Sequence, residues 1–366
     1  MSQPLICGSF RSLFLYDICE EIRLDELRTL LGSQSSGREP KFRHLAPEYV
    51  RFEHPPAVET LEPVLFQNER RLLCKITYYD YGVVSVEFEM PFEFNWTQLV
   101  ESSGSWTTAP ELEAKSAEII RNCQNRIKSS LVKPYDYQLT EDYYLIRIQP
   151  FLSESGVVNA ARLIAQYGPA IAQIVRGEVT ALSDEETAEV LHSRLSYFQN
   201  DLLVVGWTAA LIYDTEDASL PTIQLLEYAN SQLLEFRHYD HVLSQLLSKV
   251  HDSATSGAGF LGRWRLAREA EKLNTILLDV RELTERVDNS IKFLSDTFAA
   301  RVYRLAAGRI GVPDYRNLVD QKLDTAGALY RSMMDRFHQG RAFVLELMVV
   351  IILIIELVFL FRGKTP

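Results

Sequence analysis

Residues 74–90 read Cys-Lys-Ile-Thr-Tyr-Tyr-Asp-Tyr-Gly-Val-Val-Ser-Val-Glu-Phe-Glu-Met, and this stretch decides the fold class. Cys74, Ile76 and Tyr78 alternate with Lys75 and Thr77. Val84, Val86, Phe88 and Met90 alternate with Ser85, Glu87 and Glu89. A period of two sends successive side chains to opposite faces of a strand. The pattern predicts an antiparallel hairpin with one face in a core and one in water, turning at Asp80-Tyr81-Gly82.

Working outward, residues 10–16 read as a short strand and 24–31 as a short helix. Residues 33–63 are rich in Ser, Gly, Pro and charge and read as a long loop. A helix is expected over 111–132, and Tyr144, Ile146 and Ile148 continue the alternation. Helices follow near 157–167 and 184–198. Two apolar runs, 202–205 and 209–213, read as buried strands.

After Pro221 the spacing changes to threes and fours. Leu226, Ala229, Leu233, Phe236, Asp240, Leu243, Leu247 and Val250 form one seam. Leu266, Leu273, Val280, Val287 and Leu294 repeat every seven residues, with Ala270, Leu277, Thr284, Ile291, Phe298 and Leu305 offset by four. A third seam runs through Tyr315, Val319, Lys322, Ala326, Leu329, Met333 and Phe337. Such spacing means a coiled coil or an antiparallel bundle, with loops at 253–260 and 306–313. Self-association and an intrachain hairpin both satisfy it.

Residues 342–361 read Ala-Phe-Val-Leu-Glu-Leu-Met-Val-Val-Ile-Ile-Leu-Ile-Ile-Glu-Leu-Val-Phe-Leu-Phe. A helix of this length spans roughly 30 Å, the thickness of a bilayer's hydrocarbon core. The stretch predicts one transmembrane helix near the C-terminus. Glu346 and Glu356 interrupt it, and at 100° per residue they fall within about 80° of each other around the helix. Two readings stand: a shared seam between copies, or two independent side chains reaching the headgroups.

The fold class expected is therefore α+β. A mixed α/β domain with an antiparallel sheet covers 1–214, a long-helix coiled-coil bundle 215–340, and a membrane helix 341–362. Hydrophobic content of 47% and charged content of 24% fit a globular body. The net charge of −11, without a basic block, argues against sequence-specific nucleic-acid binding. Cys7, Cys19, Cys74 and Cys123 lack metal-ligand spacing and read as reduced, buried thiols. The N-terminus carries neither a secretory signal nor a presequence, so the bulk is expected to be cytoplasmic.

Chemical motifs are sparse. Gly257, Gly259 and Gly262 match G-x-G-x-x-G, but a helix precedes them where a dinucleotide site needs a strand. Glu189/His192 and Glu235/His238 have Glu-x-x-His spacing without the partner carboxylates of a di-metal bundle. Asp240 stands at a seam position, where a buried carboxylate needs a partner. Arg237, Arg281 and Arg286 are the candidates, and Asp240, Arg237, His238 and Arg281 are read as a buried polar network. No catalytic residue, cofactor or metal is expected.

Five stretches carry a family resemblance. They are Leu226-Glu-Tyr-Ala-Asn-Ser-Gln-Leu-Leu-Glu-Phe-Arg-His-Tyr-Asp-His, Asp201-Leu-Leu-Val-Val-Gly-Trp-Thr-Ala-Ala, Leu283-Thr-Glu-Arg-Val, Val312-Pro-Asp-Tyr with Val319-Asp-Gln-Lys-Leu, and the tail from Leu345-Glu346 to Glu356. Together they resemble the "required for meiotic nuclear division" family, and the missing presequence points to a bacterial member. The resemblance implies a membrane-associated, oligomer-forming protein without assigned chemistry. Mitochondrial relatives are expected to anchor ribosomes at a membrane. The function expected is a self-associating membrane scaffold or adaptor, with a protein or ribosomal partner. The alternative is an enzyme or small-ligand sensor using the α/β domain.

Overall fold

Alternating side chains build a sheet covered on both faces. The computed structural model describes residues 5–32, 50–52, 54–66, 70–136, 138–153, 156–255, 271, 273–282, 284–285, 291–293, 298–361 and 363. In chain order the first elements are β1 (Ile6–Asp17), β2 (Cys19–Ile22), α1 (Leu24–Leu31), β3 (Val50–Phe52), β4 (Ala57–Phe66), β5 (Arg70–Tyr78) and β6 (Val83–Phe94). Next come α2 (Trp96–Thr107), α3 (Pro110–Arg126), β7 (Leu131–Pro134), β8 (Thr140–Ile148), β9 (Leu152–Ser153), β10 (Gly156–Val157), α4 (Ala160–Arg176) and α5 (Asp184–His192). Then follow β11 (Arg194–Leu195), β12 (Leu202–Val205), β13 (Ala209–Tyr213), α6 (Glu216–Thr255), α7 (residues 273–282), β14 (Ile291–Phe293), α8 (Phe298–Ile310) and α9 (Val312–Phe361).

The main sheet has the order β11-β12-β13-β8-β1-β6-β5-β4. Its pairs are antiparallel apart from β13 with β8, which is parallel. β1 lies between β6 and β8, so its two faces decide what each layer holds. Ile6, Phe10, Phe14 and Tyr16 point into an apolar core with Phe88 and Ile146. α2, α3 and α4 close that core with Trp106, Ile120 and Ile171. The alternate positions Ser9, Arg11, Leu13, Leu15 and Asp17 are equally buried, but on the opposite face. There the sheet meets α6: Tyr81 bonds Ser231 at 2.5 Å, and Asp17 meets His238 at 2.6 Å.

The chain divides into two units. One comprises Met1–His238 with Leu283–Tyr315, the other Tyr239–Glu282 with Arg316–Pro366. In the second, Leu243, Leu273, Leu277, Val280, Val319, Leu323, Ala326 and Met333 are buried. The described heptad positions are thus buried or half-buried within a single chain.

Mixed α+β with a mainly antiparallel N-terminal sheet and C-terminal helices is what the alternation predicts. Several details differ. Most of the polar face of the hairpin, Thr77, Ser85, Glu87 and Glu89, does not face water: α6 lies over it, Lys75 keeps its side chain 29% exposed, and the charges pair with one another. β4 begins at 57, within the loop expected over 33–63, and runs past it to 66, because it is held to β5. The helix expected over 111–132 ends at Arg126, and β7 follows. α4 runs on through Pro169 to Arg176. The second long helix is interrupted, since Ile291–Phe293 is a strand paired with Val50–Phe52. The loop expected at 306–313 shrinks to Gly311, whose φ of +95° makes the turn in one residue. The glycine motif at 257–262 lies outside the described residues.

Among the described residues no helix is long and apolar enough to cross a membrane. α9 ends in a stretch, 348–361, that is apolar apart from Glu356. Its exposure is nonetheless large: every hydrophobic residue in it is 47–83% exposed.

Gly82 makes the hairpin turn at φ +96°, and a Cβ there would lie 1.7 Å from the Cys19 carbonyl oxygen. Gly82→Ala therefore carries both a left-handed penalty and a backbone clash. It is expected to destabilise the protein by more than ~2 kcal/mol. A urea midpoint unchanged from the parent would show that the turn rearranges freely.

Candidate functional site

The densest chemistry is the charged layer between the sheet and α6. Arg11 on β1 faces two carboxylates of β6, because its register partner is Glu89 and Glu87 lies diagonally across. Nη1 donates to Glu87 at 2.5 Å and Nη2 to Glu89 at 2.7 Å. Lys75, the register partner of Glu87 on β5, lies 2.5 Å from its other oxygen. Above them α6 contributes Glu227, whose carboxyl faces Ser85 and Thr77. Arg11, Glu87 and Glu227 are each 5% exposed or less, so these charges are almost wholly desolvated.

Burial disfavours every charge here, and the partners decide the outcome. Burial pushes Glu87 up, but Lys75 and Arg11 outweigh it and hold the carboxyl below its usual range. Glu227 goes the other way: burial dominates, Lys75 only partly offsets it, and Glu87 adds repulsion, so its carboxyl is raised. Burial lowers Arg11, and Glu87 with Glu89 more than restores it, leaving the guanidinium above its ordinary value.

A second polar group closes the far end of the same face. His238 Nδ1 lies 2.6 Å from Asp17, and its ring stacks on Tyr135 at 4.4 Å. Burial raises Asp17 well above the carboxylate range and lowers His238. The neutral acid and neutral imidazole are therefore favoured over the ion pair.

The residues singled out from the sequence each have their own surroundings. Arg237 pairs with Glu141 of β8. Asp240, in the second unit, is half-buried and takes a salt bridge from Lys322 at 2.5 Å, with Ser244 2.6 Å from the same ammonium. Arg281, Glu346 and Glu356 are exposed. Glu189 is held by Arg309 at 2.8 Å. Among the described residues no group of three or more His, Cys, Asp or Glu is placed to hold a metal. Cys19, Cys74 and Cys123 are buried and free, while Cys7 is exposed, against expectation. Burial pushes the Cys74 thiol up to about 12, so it stays protonated.

Two clefts are described in the first unit. The larger, about 600 Å³, is lined by Pro150, Val157, Phe198, Asn200, Asp201, Asp214 and Thr215. The smaller, about 230 Å³, lies between Phe14, Thr108, Glu113, Glu141 and Tyr144. Arg11, Lys75, Glu87 and Glu227 line neither. The charged layer was missed in the sequence because alternation marks only which residues share a face. It does not show whether a later helix will cover that face.

Comparison with known proteins corrects the resemblance drawn from the sequence. A family model described as "Uncharacterized protein MJ0711, N-terminal domain" matches residues 7–219. A relative from Methanocaldococcus jannaschii, the uncharacterized protein MJ0711, is 18% identical over 188 residues. That match covers 51% of this chain and 58% of the relative. No solved structure matches significantly. The meiotic-division assignment falls, because the short stretches quoted for it are outweighed by a continuous match to an archaeal domain. The mitochondrial relatives and the ribosome anchoring that the resemblance implied lose that support.

Proposed function

The chain belongs to the family of the MJ0711 N-terminal domain, and from that premise we propose that it is a membrane-anchored scaffold or adaptor without catalytic activity. The observation that carries this reading is the apolar end of α9. From Met348 to Phe361 successive residues are exposed, and at 100° per residue they cover every side of the helix. A protein groove covers one stripe of a helix, whereas lipid covers all of it. A bilayer is the occupant that fits, with the 342–361 stretch as a single-pass C-terminal anchor and the bulk of the chain in the cytoplasm.

The burial of Arg11, Glu87 and Glu227 supports reading the α+β unit as non-catalytic, since a reacting group must reach its substrate. The partner-binding surface we assign to that unit is the rim of the larger cleft. Tyr197 and Phe198 are about half exposed there, edge to face at 4.8 Å. Rigid aromatic residues of this kind anchor protein interfaces. Because the bundle seams are filled within one chain, self-association falls to the membrane segment. Glu346 and Glu356 would form its shared polar seam.

Flotation of the full chain with phosphatidylcholine vesicles tests the anchor. The parent is expected to float, and Ile352→Arg with Ile355→Arg to stay at the bottom. Each central arginine costs roughly 2.5–3.5 kcal/mol of insertion. Chemical cross-linking of the floated fraction should give oligomers that the double variant lacks. A parent chain that stays at the bottom sinks the reading.

A further inference from the structure

Arg147 is a buried cation with no hydrogen-bond acceptor for two of its nitrogens among the described residues. It sits near the end of β8 on the α6-facing side, and the residue is 6% exposed. Nε and Nη1 are buried and have no hydrogen-bond partner. The carboxylate that comes nearest Nη2 is Glu216 of the first turn of α6, at 4.0 Å. That is beyond hydrogen-bond reach, and the Glu216 side chain is 69% exposed.

The donors around Arg147 are orphaned as well. Its register partner on β1 is Ser9, whose side chain leaves the same face. Directly paired residues have Cβ atoms about 4.5–5.5 Å apart. Ser9 is 1% exposed, and its hydroxyl is buried without a partner. Two residues along, Arg11 spends Nη1 and Nη2 on Glu87 and Glu89 but leaves Nε buried and unpaired. Among the described residues four polar atoms on this face of β1 and β8 thus lack a partner: Nε and Nη1 of Arg147, Nε of Arg11, and the Ser9 hydroxyl, which can donate or accept. Leaving a buried donor unmade is costly, and for a guanidinium more so. Native proteins meet that cost with a partner, and here the missing partner must accept hydrogen bonds and balance one positive charge.

We infer that Arg147, with Ser9 beside it and Arg11 Nε at its edge, is a binding site for a small oxyanion, a carboxylate or phosphate group seated under the first turn of α6. Arg147 supplies the uncommitted charge, since Arg11 is already neutralised by two glutamates. Glu216 stands at the mouth as a competitor for the same guanidinium. The site is separate from both clefts, and its reading does not depend on the membrane anchor.

The test is thermal unfolding of the full chain in increasing inorganic phosphate, and separately acetate, against chloride at matched ionic strength. A ligand that binds only the folded state raises the midpoint with its concentration. Phosphate or acetate is expected to raise it above the chloride control, and the stronger of the two identifies the oxyanion class. Arg147→Gln should weaken the apparent affinity about tenfold or more, from loss of charge-assisted bonds. Ser9→Ala removes only a hydroxyl and should weaken it by a smaller factor. Glu216→Gln removes the competitor and should tighten binding. A parent response no larger than with chloride overturns the proposal. So does an oxyanion response that survives both Arg147→Gln and Ser9→Ala.

Discussion

Arg11→Met is expected to destabilise the protein by about 3–5 kcal/mol at neutral pH. The reason is what the substitution leaves behind. Glu87 is 3% exposed and loses one of its two cations, while Glu89 loses the Nη2 contact at 2.7 Å. Removing one member of a buried ion pair costs far more than the pair contributes, because the surviving charge stays desolvated. Methionine fills much of the arginine stem's volume, so a cavity does not explain a loss of this size. Domains of this kind have about 5–15 kcal/mol in total, so the variant should unfold at visibly lower urea.

The pH dependence identifies the cause. The Glu87 carboxyl is held below its ordinary value in the folded chain. Its contribution is therefore present above the unfolded value, near 4.3, and is lost as pH falls through the lower folded value. In Arg11→Met only Lys75 still holds Glu87 ionised, so less remains to be lost on acidification. The gap between parent and variant should narrow as pH falls below about 4. A gap that stays constant with pH would assign the loss to packing rather than charge.

How much of this was legible turns on β1 and its neighbours. Phe88 and Ile146 reveal their core face by alternation alone, and the structure places them there. The same alternation assigned Glu87 and Glu89 to water. The error is one of tertiary context: α6 begins more than a hundred residues later, and no local pattern announces that it will lie on that face. β1 starts at Ile6 rather than 10 because Gly8 hides the signal. A Cβ there would lie 2.0 Å from the Arg147 carbonyl oxygen, so close strand approach requires the glycine. Ile291 satisfied the heptad, yet it pairs with Phe52, because a β-branched residue in a short apolar run fits either period. Asp240 and Lys322 were both visible as polar residues at seam positions of different helices. Their 2.5 Å pairing becomes readable once the two seams are known to face each other in one unit. Arg147 gave no signal at all, since a single arginine in an alternating strand reads as a solvated side chain.

Phe10→Ala is the second large effect, expected at about 3–5 kcal/mol. Phe10 is fully buried and lies 4.7 Å from Phe92 and 5.6 Å from Trp106, ring to ring. Deleting the ring opens a cavity in the apolar layer and removes these aromatic contacts. The urea midpoint should fall with the m-value unchanged, as for a loss of stability without a change in the exposed surface. Phe10 and Arg11 are adjacent in sequence, yet their side chains leave β1 on opposite faces and share no partner. Two losses of this size would together approach the whole stability, so the milder pair Phe10→Leu and Arg11→Lys suits a double-mutant cycle. Independent layers require the two effects to add within about 0.5 kcal/mol. An interaction above about 1 kcal/mol would mean that the sheet transmits strain between its faces. The apolar core and the charged layer would then have to be treated as one cooperative body.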